Sequence, residues 1–342
     1  MRTTLRTIVL VLSVALAGAA AAQAERPGEG VTVRPAVAGW DDARPVQAIF
    51  DQILGELGYR VEPPVMLENP IFYTAVAQGD VDFWTAGWFP LHATQLPAGF
   101  FDRASIVGTI AAAGGLQGYL VTKSAAEEFG ITSLEDFKRP EVKAAFDRTG
   151  DGKADLVACP PGWGCEAAIE HHLDAYDLRD HVNDIKAAYN AAFADALAAY
   201  RNGQPVFYYT WTPNFTVFQM VPGVDSVWIN VPEIVPSETQ VGFEDAMVVH
   251  GLEGGVTDPM LMGFVADDIQ TVANDAFLEA NPAAASILAN VRIPVVDISE
   301  MTVRMDQGED SDTAVAAMAA EWIATNRDLV DGWLSDARAA AD

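Results

Sequence analysis

The chain is short of cysteine and of positive charge. Its 342 residues include two cysteines, Cys159 and Cys165, which excludes a multi-bridge disulfide scaffold and a cysteine-rich metal cluster. Twenty lysines and arginines stand against 48 acidic residues, a formal net charge of −28. That balance argues against binding nucleic acid or anionic membrane surfaces, both of which need positive charge. The apolar run from Ile8 to Ala22 is too short to cross a bilayer as a helix, which takes about 20 residues. There is no G-x-S-x-G elbow, no H-E-x-x-H pair and no glycine-rich phosphate loop, so neither a hydrolase nor a nucleotide-dependent enzyme has a motif to stand on. Short-period repeats and low-complexity segments are missing as well.

Arg2 and Arg6, the apolar run and the closing Ala22-Gln23-Ala24 form a secretory signal peptide over residues 1–24, cleaved after Ala24. No cysteine follows the site to carry a lipid anchor. Removing two arginines and no acid makes the mature chain two units more negative still. An exported location is oxidising and allows a Cys159–Cys165 disulfide. So short a ring stabilises by only about 2 kcal/mol through chain entropy, so shaping the loop is its main task. The mature length suits roughly two domains, and the chain is expected to be monomeric.

Short β-rich runs alternate with helical ones. Val31–Val33, Tyr59–Val61 and Val81–Trp84 read as strands around helices at Pro45–Leu57 and Ile71–Gln78. Leu156–Ala158, a helix from Glu166 to Tyr176, another from Asn190 to Arg201 and a strand at Val206–Thr210 repeat the pattern. The alternation predicts an α/β fold with mainly parallel sheets flanked by helices. In such folds ligands sit beyond the carboxyl ends of strands. Three tryptophans fall there: Trp88 in GWFPLH, Trp163 inside CPPGWGC and Trp211 in YYTWTP.

Tryptophans are commonly core residues, and Trp40, Trp84, Trp228, Trp322 and Trp333 are assigned to the core. Trp88, Trp163 and Trp211, from three separate segments, can instead converge on one cleft. A cage of indole faces is how a protein holds a quaternary ammonium, which has no N–H to donate, at about 0.5–2 kcal/mol per ring. Gly164 and Cys165 precede a helix, so their N–H groups form an anion site at its start. His92, four residues after Trp88, can add a donor. A cation cage beside an anion turn suits a zwitterion.

With GWFPLH, LQGYL, GDGKADL, CPPGWGCEAAIEHHL, PVFYYTWTP and a late NPAA in order, nearly the whole mature chain resembles the periplasmic glycine betaine/proline betaine-binding proteins that feed osmoprotectant ABC importers. The resemblance implies a type II periplasmic binding protein: two α/β lobes joined by two crossover strands. The lobe limits are set at residues 25–118 with 262–342 for the first and 119–261 for the second. It implies that Trp88, Trp163 and Trp211 box the trimethylammonium group. His92 and the N–H groups of Gly164 and Cys165 then hold the carboxylate. It further implies hinge closure, membrane permease subunits as partners, no cofactor and no catalysis. Pro236–Met262 departs from the family pattern, as do Gly87 and Phe89 beside Trp88.

Choline, carnitine and sulfonium osmolytes share a methylated cation and stay open as ligands. A secreted carbohydrate-binding module is the alternative of another class, since tryptophans also stack on sugars, but these loops offer few amides and carboxylates. Asp147, Asp151 and Asp155, with Gly152, resemble half of a calcium loop; Ala158 stands where the closing Glu belongs, so a solvated turn is the preferred reading. His171 and His172 are adjacent on a helix and face different ways, which makes a poor metal pair.

Overall fold

The computed structural model describes residues 25–341; the expected signal peptide and its cleavage site lie outside them. The alternation read from the sequence is present twice. Near the N-terminus run β1 (Thr32–Val33), β2 (Ala36–Val37), α1 (Ala43–Glu56), β3 (Arg60–Val61), β4 (Val65–Met66), α2 (Asn69–Gln78), β5 (Phe83–Phe89) and the long β6 (Ala104–Thr122). The middle holds β7 (Ala154–Val157), α3 (Gly164–Ala175), β8 (Val182–Ile185), α4 (Tyr189–Arg201), β9 (Phe207–Thr212) and β10 (Ser226–Ile229). β1–β3, β2–β4, β7–β8 and β7–β9 pair in parallel, as strands joined through helices do. α1 shows why a helix forms: Val46, Ile49, Phe50, Ile53 and Leu54 recur at helical spacing and are all buried.

The lobes are joined by strands that run antiparallel to their neighbours. β6 pairs with β11 (Asp267–Asn274) as far as Gly115, then with β9 from Leu116 and with β10 from Tyr119. β11 also pairs with β5, giving a continuous sheet ordered β5-β11-β6-β9-β7-β8. The chain ends in α5 (Pro282–Asn290), α6 (Val295–Asp306), α7 (Asp312–Thr325) and α8 (Arg327–Ala340), with α7 packed on α1. The C-terminal helices therefore rejoin the N-terminal lobe.

Two strands run on past their expected ends. β5 continues to Phe89 and β9 to Thr212, because Trp88 pairs with Ile269 and Trp211 with Gln117 on the crossing strands. Trp88 and Trp211 therefore stand on the last residues of strands and not in the loops after them. Trp84 and Trp228 are buried core residues as expected, Trp84 stacking on Phe72 at 3.8 Å. Trp322 and Trp333 stack on each other at 6.5 Å. The divergent 236–262 stretch forms 3-10 turns at Glu238–Gln240 and Glu244–Met247 and an antiparallel ribbon of Val248–Val249 with Met260–Leu261.

In the acidic turn, Asp147 accepts from the backbone N–H groups of Gly150, Asp151 and Gly152. Asp155 accepts from those of Arg148 and Thr149 and from the Asn183 amide. Both carboxylates are engaged in shaping the loop, and Asp151 accepts from Lys153 N–H.

Candidate functional site

One cavity between the lobes gathers Trp88, Trp163, Trp211, His92, Gly164 and Cys165. The six residues singled out from the sequence are therefore neighbours. Trp163 and Trp211 meet edge to face with ring centres 5.5 Å apart, and Trp163 meets Trp40 the same way at 5.3 Å. Trp88 packs closely on the crossing strand: a Cβ at Gly115 would fall 2.5 Å from its ring. The indole N–H of Trp211 donates to Asp42 Oδ1 at 2.9 Å, which fixes the ring plane. Walls of this kind present π faces to a ligand and few hydrogen-bonding groups, the surface that suits a diffuse cation.

The other end of the cavity is rich in donors. α3 starts at Gly164 behind an extended Trp163 that offers no side-chain cap. Among the described residues, the Gly164 and Cys165 N–H groups have no protein acceptor. Such free N–H groups at a helix start attract anions. A disulfide joins Cys159 to Cys165, Cα atoms 5.8 Å apart, and ties this first turn to the end of β7. Gly162 turns the loop at φ +89°, a conformation that favours glycine, and donates its N–H to Glu166.

His92 closes this end. Trp88 N–H donates to its Nδ1 at 3.2 Å and the Tyr73 hydroxyl also lies on Nδ1, at 2.7 Å. Nδ1 is thus the acceptor and Nε2 carries the ring proton. Nε2 sits 3.0 Å from the Asn69 amide nitrogen, while the Asn69 oxygen is unpaired. The Asn69 nitrogen also donates to Gln95 Oε1 at 2.9 Å, so this corner, beside the free N–H groups of α3, gathers donors around the ring. Burial pushes the His92 pKa down to about 3, so the ring is neutral at ordinary pH. Gly164 allows this approach, since a Cβ on it would lie 2.6 Å from His92 Cδ2.

A buried relay supports the floor of the site. The Tyr209 hydroxyl donates to Gln117 Oε1 at 2.6 Å, and Gln117 Nε2 donates to Asp267 at 2.8 Å. Asp267 also accepts from Leu91 N–H, and burial raises its pKa to about 8.

The family described as the substrate binding domain of ABC-type glycine betaine transport systems matches residues 31–325. The chain belongs to that family. It is 36% identical over 332 residues to the glycine betaine-binding periplasmic protein OusX of Dickeya dadantii, covering 97% of each chain. It is 36% identical over 318 residues to the glycine betaine/proline betaine-binding periplasmic protein of Escherichia coli, covering 93% of each. Its fold matches lactococcal OpuAC, solved in a closed form with glycine betaine, at TM-score 0.67 and 19% identity over 89% of this chain and 99% of that one. The chain is accordingly the solute receptor of an ABC importer with the type II periplasmic binding protein fold, and not an enzyme.

Sequence reasoning missed Trp40, Gln117, Tyr209 and Asn69. Trp40 was assigned to the core; it is buried and yet faces the cavity. Its signal was available, because Gly39-Trp40 follows the carboxyl end of β2 as Gly87-Trp88 sits at the end of β5. Gln117 and Tyr209 project from the middle of strands, where nothing in the local sequence marks them.

Proposed function

We propose that this receptor is exported to the periplasm and captures glycine betaine between its lobes. Trp88, Trp163 and Trp211 enclose the trimethylammonium group. His92 Nε2–H and the Gly164 and Cys165 N–H groups take the carboxylate. The observation that carries the reading is the junction at Trp163: one residue is a cage wall and the next two offer free N–H groups at a helix start, facing a neutral histidine donor. A ligand with a methylated cation a few bonds from a carboxylate meets both ends at once. Choline keeps the cation but leaves the converging donors without an anion.

Binding selects the closed form, because walls from both lobes complete the cage and the ligand has its higher affinity there. Lobe limits of 25–118 with 262–342 and 119–261 belong to this reading, and the change of ladder partner after Gly115 supports the first crossing. So do cleavage after Ala24, a monomeric state and delivery to membrane permease subunits. Calorimetric titration of the ligand-stripped mature protein with glycine betaine, choline in parallel, tests it. Tight one-to-one binding of glycine betaine with weak choline binding is expected. Equal choline affinity would remove the anion end, and absence of binding by both would overturn the ligand class.

A further inference from the structure

A second cavity lies within the N-terminal lobe and shares no lining residue with the cleft. It measures about 400 Å³, within the range of small-molecule sites. α1 forms one side, α7 another, and β2 and β4 with the Pro63-Pro64 link the third. Val37, Ala48, Met66 and Val315 make much of the lining apolar. Gln52 Nε2 donates to the Ala316 carbonyl at 2.8 Å and holds α7 against α1 beside the cavity.

Two charged side chains of α1 line it. Arg44 donates through Nη2 to Asp312 Oδ1 at 3.0 Å and to the Asp310 carbonyl at 2.7 Å, so its charge is already matched. Asp51 follows two turns along the same helix, about 10 Å away at 1.5 Å per residue. Its Oδ1 accepts from the Gln47 amide at 2.7 Å, and Gln47 in turn accepts from the Thr85 hydroxyl at 3.1 Å. Among the described residues its Oδ2 has no hydrogen-bond partner, and no lysine, arginine or histidine pairs with the carboxylate. Burial without a compensating cation raises this carboxyl to about 7. Arg44 and Asp312 are the other titratable groups of the lining; β2, β4 and the two prolines bring none. Since that pair neutralises itself, an ionised Asp51 leaves the cavity one unit negative.

We propose that this cavity is a second ligand site, for a small primary ammonium with a short apolar chain, its N–H groups on Asp51 and its chain along Val37, Met66 and Val315. The argument is complementary chemistry. A carboxylate sunk below the surface with one oxygen open needs a proton donor and a positive charge, and an ammonium brings both. Hydrogen bonds between ionised partners are the strong ones. A quaternary ammonium brings the charge but no N–H, so the preference here is the reverse of what the indole walls of the cleft favour. One positive charge balances the cavity, and a second would meet Arg44. The site stands whether or not the cleft takes glycine betaine.

Pentylammonium titrated into the full mature protein at pH 8, where Asp51 is ionised, tests the proposal. Amide chemical shifts of Ala48, Gln52 and Val315, followed by NMR, report this cavity separately from the cleft. Saturable binding is expected there. Pentanol, which lacks the charge, and pentyltrimethylammonium, which lacks the N–H, should bind about tenfold more weakly or worse. Asp51→Asn should lose about tenfold in pentylammonium affinity, and Ala48→Leu, which fills the cavity and keeps the carboxylate, should lose as much. Wild-type shifts elsewhere in the spectrum show that each variant is folded. No saturable shift of these amides in the wild type overturns the site. Equal affinity in Asp51→Asn, or for pentyltrimethylammonium, overturns Asp51 as the partner of the ammonium. Undiminished binding by Ala48→Leu overturns the cavity as the place where the chain lies.

Discussion

His92 and His172 are near twins by the usual measures. Each is 2% exposed, burial drives each pKa to about 3, and each has Nδ1 within 2.8 Å of a tyrosine hydroxyl, Tyr73 for one and Tyr119 for the other. Each also rests against a glycine. They part at Nε2. In His172 that nitrogen donates to the carbonyl of Gly263, next to the second crossing, and the ring is fully satisfied. In His92 it faces another donor and the open start of α3. Burial and a displaced pKa thus fail to separate a structural histidine from a ligand-facing one. The unspent hydrogen bond separates them.

The largest effect should come from cutting the satisfied twin. His172→Ala leaves a cavity and strips both the Tyr119 hydroxyl and the Gly263 carbonyl of their partner. Costs of about 3 kcal/mol follow from core truncation with buried groups left unpaired. Chemical denaturation should show that loss while glycine betaine affinity stays within about threefold. A variant that keeps its stability and loses its ligand would reverse the two roles.

Gly164→Ala comes next and addresses the unsatisfied twin. Alanine suits the first turn of a helix, so α3 should keep its stability. Its methyl, however, would sit 2.6 Å from His92 Cδ2 and 3.0 Å from Leu91. The lobes could then not approach to the same depth, and affinity should fall about a hundredfold, roughly 2.7 kcal/mol. The glycine under His172 is held for a different reason, a φ of +73°. His92→Ala should cost less, on the order of tenfold in affinity, the value of one hydrogen bond to a charged group. Titration of the two variants side by side decides the order. Retained affinity in His92→Ala would leave the helix start as the sole anion site.

The same contrast explains what could be read from the sequence. Trp163, Gly164 and Cys165 were legible because three constraints fall in one heptapeptide: a disulfide ring, a turn glycine and a helix start. Trp88 and Trp211 were legible through the strand-end rule, although both strands run further than local propensity suggests. Their extra length depends on β6 and β11, which pair across more than 150 residues. β6 itself contains Ala111-Ala112-Ala113-Gly114-Gly115, poor strand formers held in place by neighbours on both sides. Trp40 is a buried core residue as expected and lines the cavity as well, a second role that was hidden because burial in a core and burial in a cavity wall look alike from composition. The roles of the two histidines were hidden for the same reason, since they depend on which atoms lie opposite Nε2.

The smallest effect concerns pH, and it tests whether His172 is neutral for structural reasons alone. In the unfolded chain it titrates near 6.5; folded, near 3. Between these values the unfolded state holds more protons, so stability rises with pH. The contribution of neutral His172 is intact above 6.5 and is lost as pH falls toward 3. Asp42, Asp51 and Asp267 act in the opposite sense, because burial raises them to about 7, 7 and 8 and their contribution fades as pH rises from about 4. A wild-type curve alone therefore mixes both signs. Subtracting the curve of His172→Gln, which keeps a donor and an acceptor but does not titrate there, isolates the histidine. The wild type should lose ground to the variant as pH drops from 7 to 6, by less than about 1.4 kcal/mol. Denaturant midpoints that stay parallel over that range would mean that His172 takes up a proton in the folded protein, with Tyr119 reoriented to accept it.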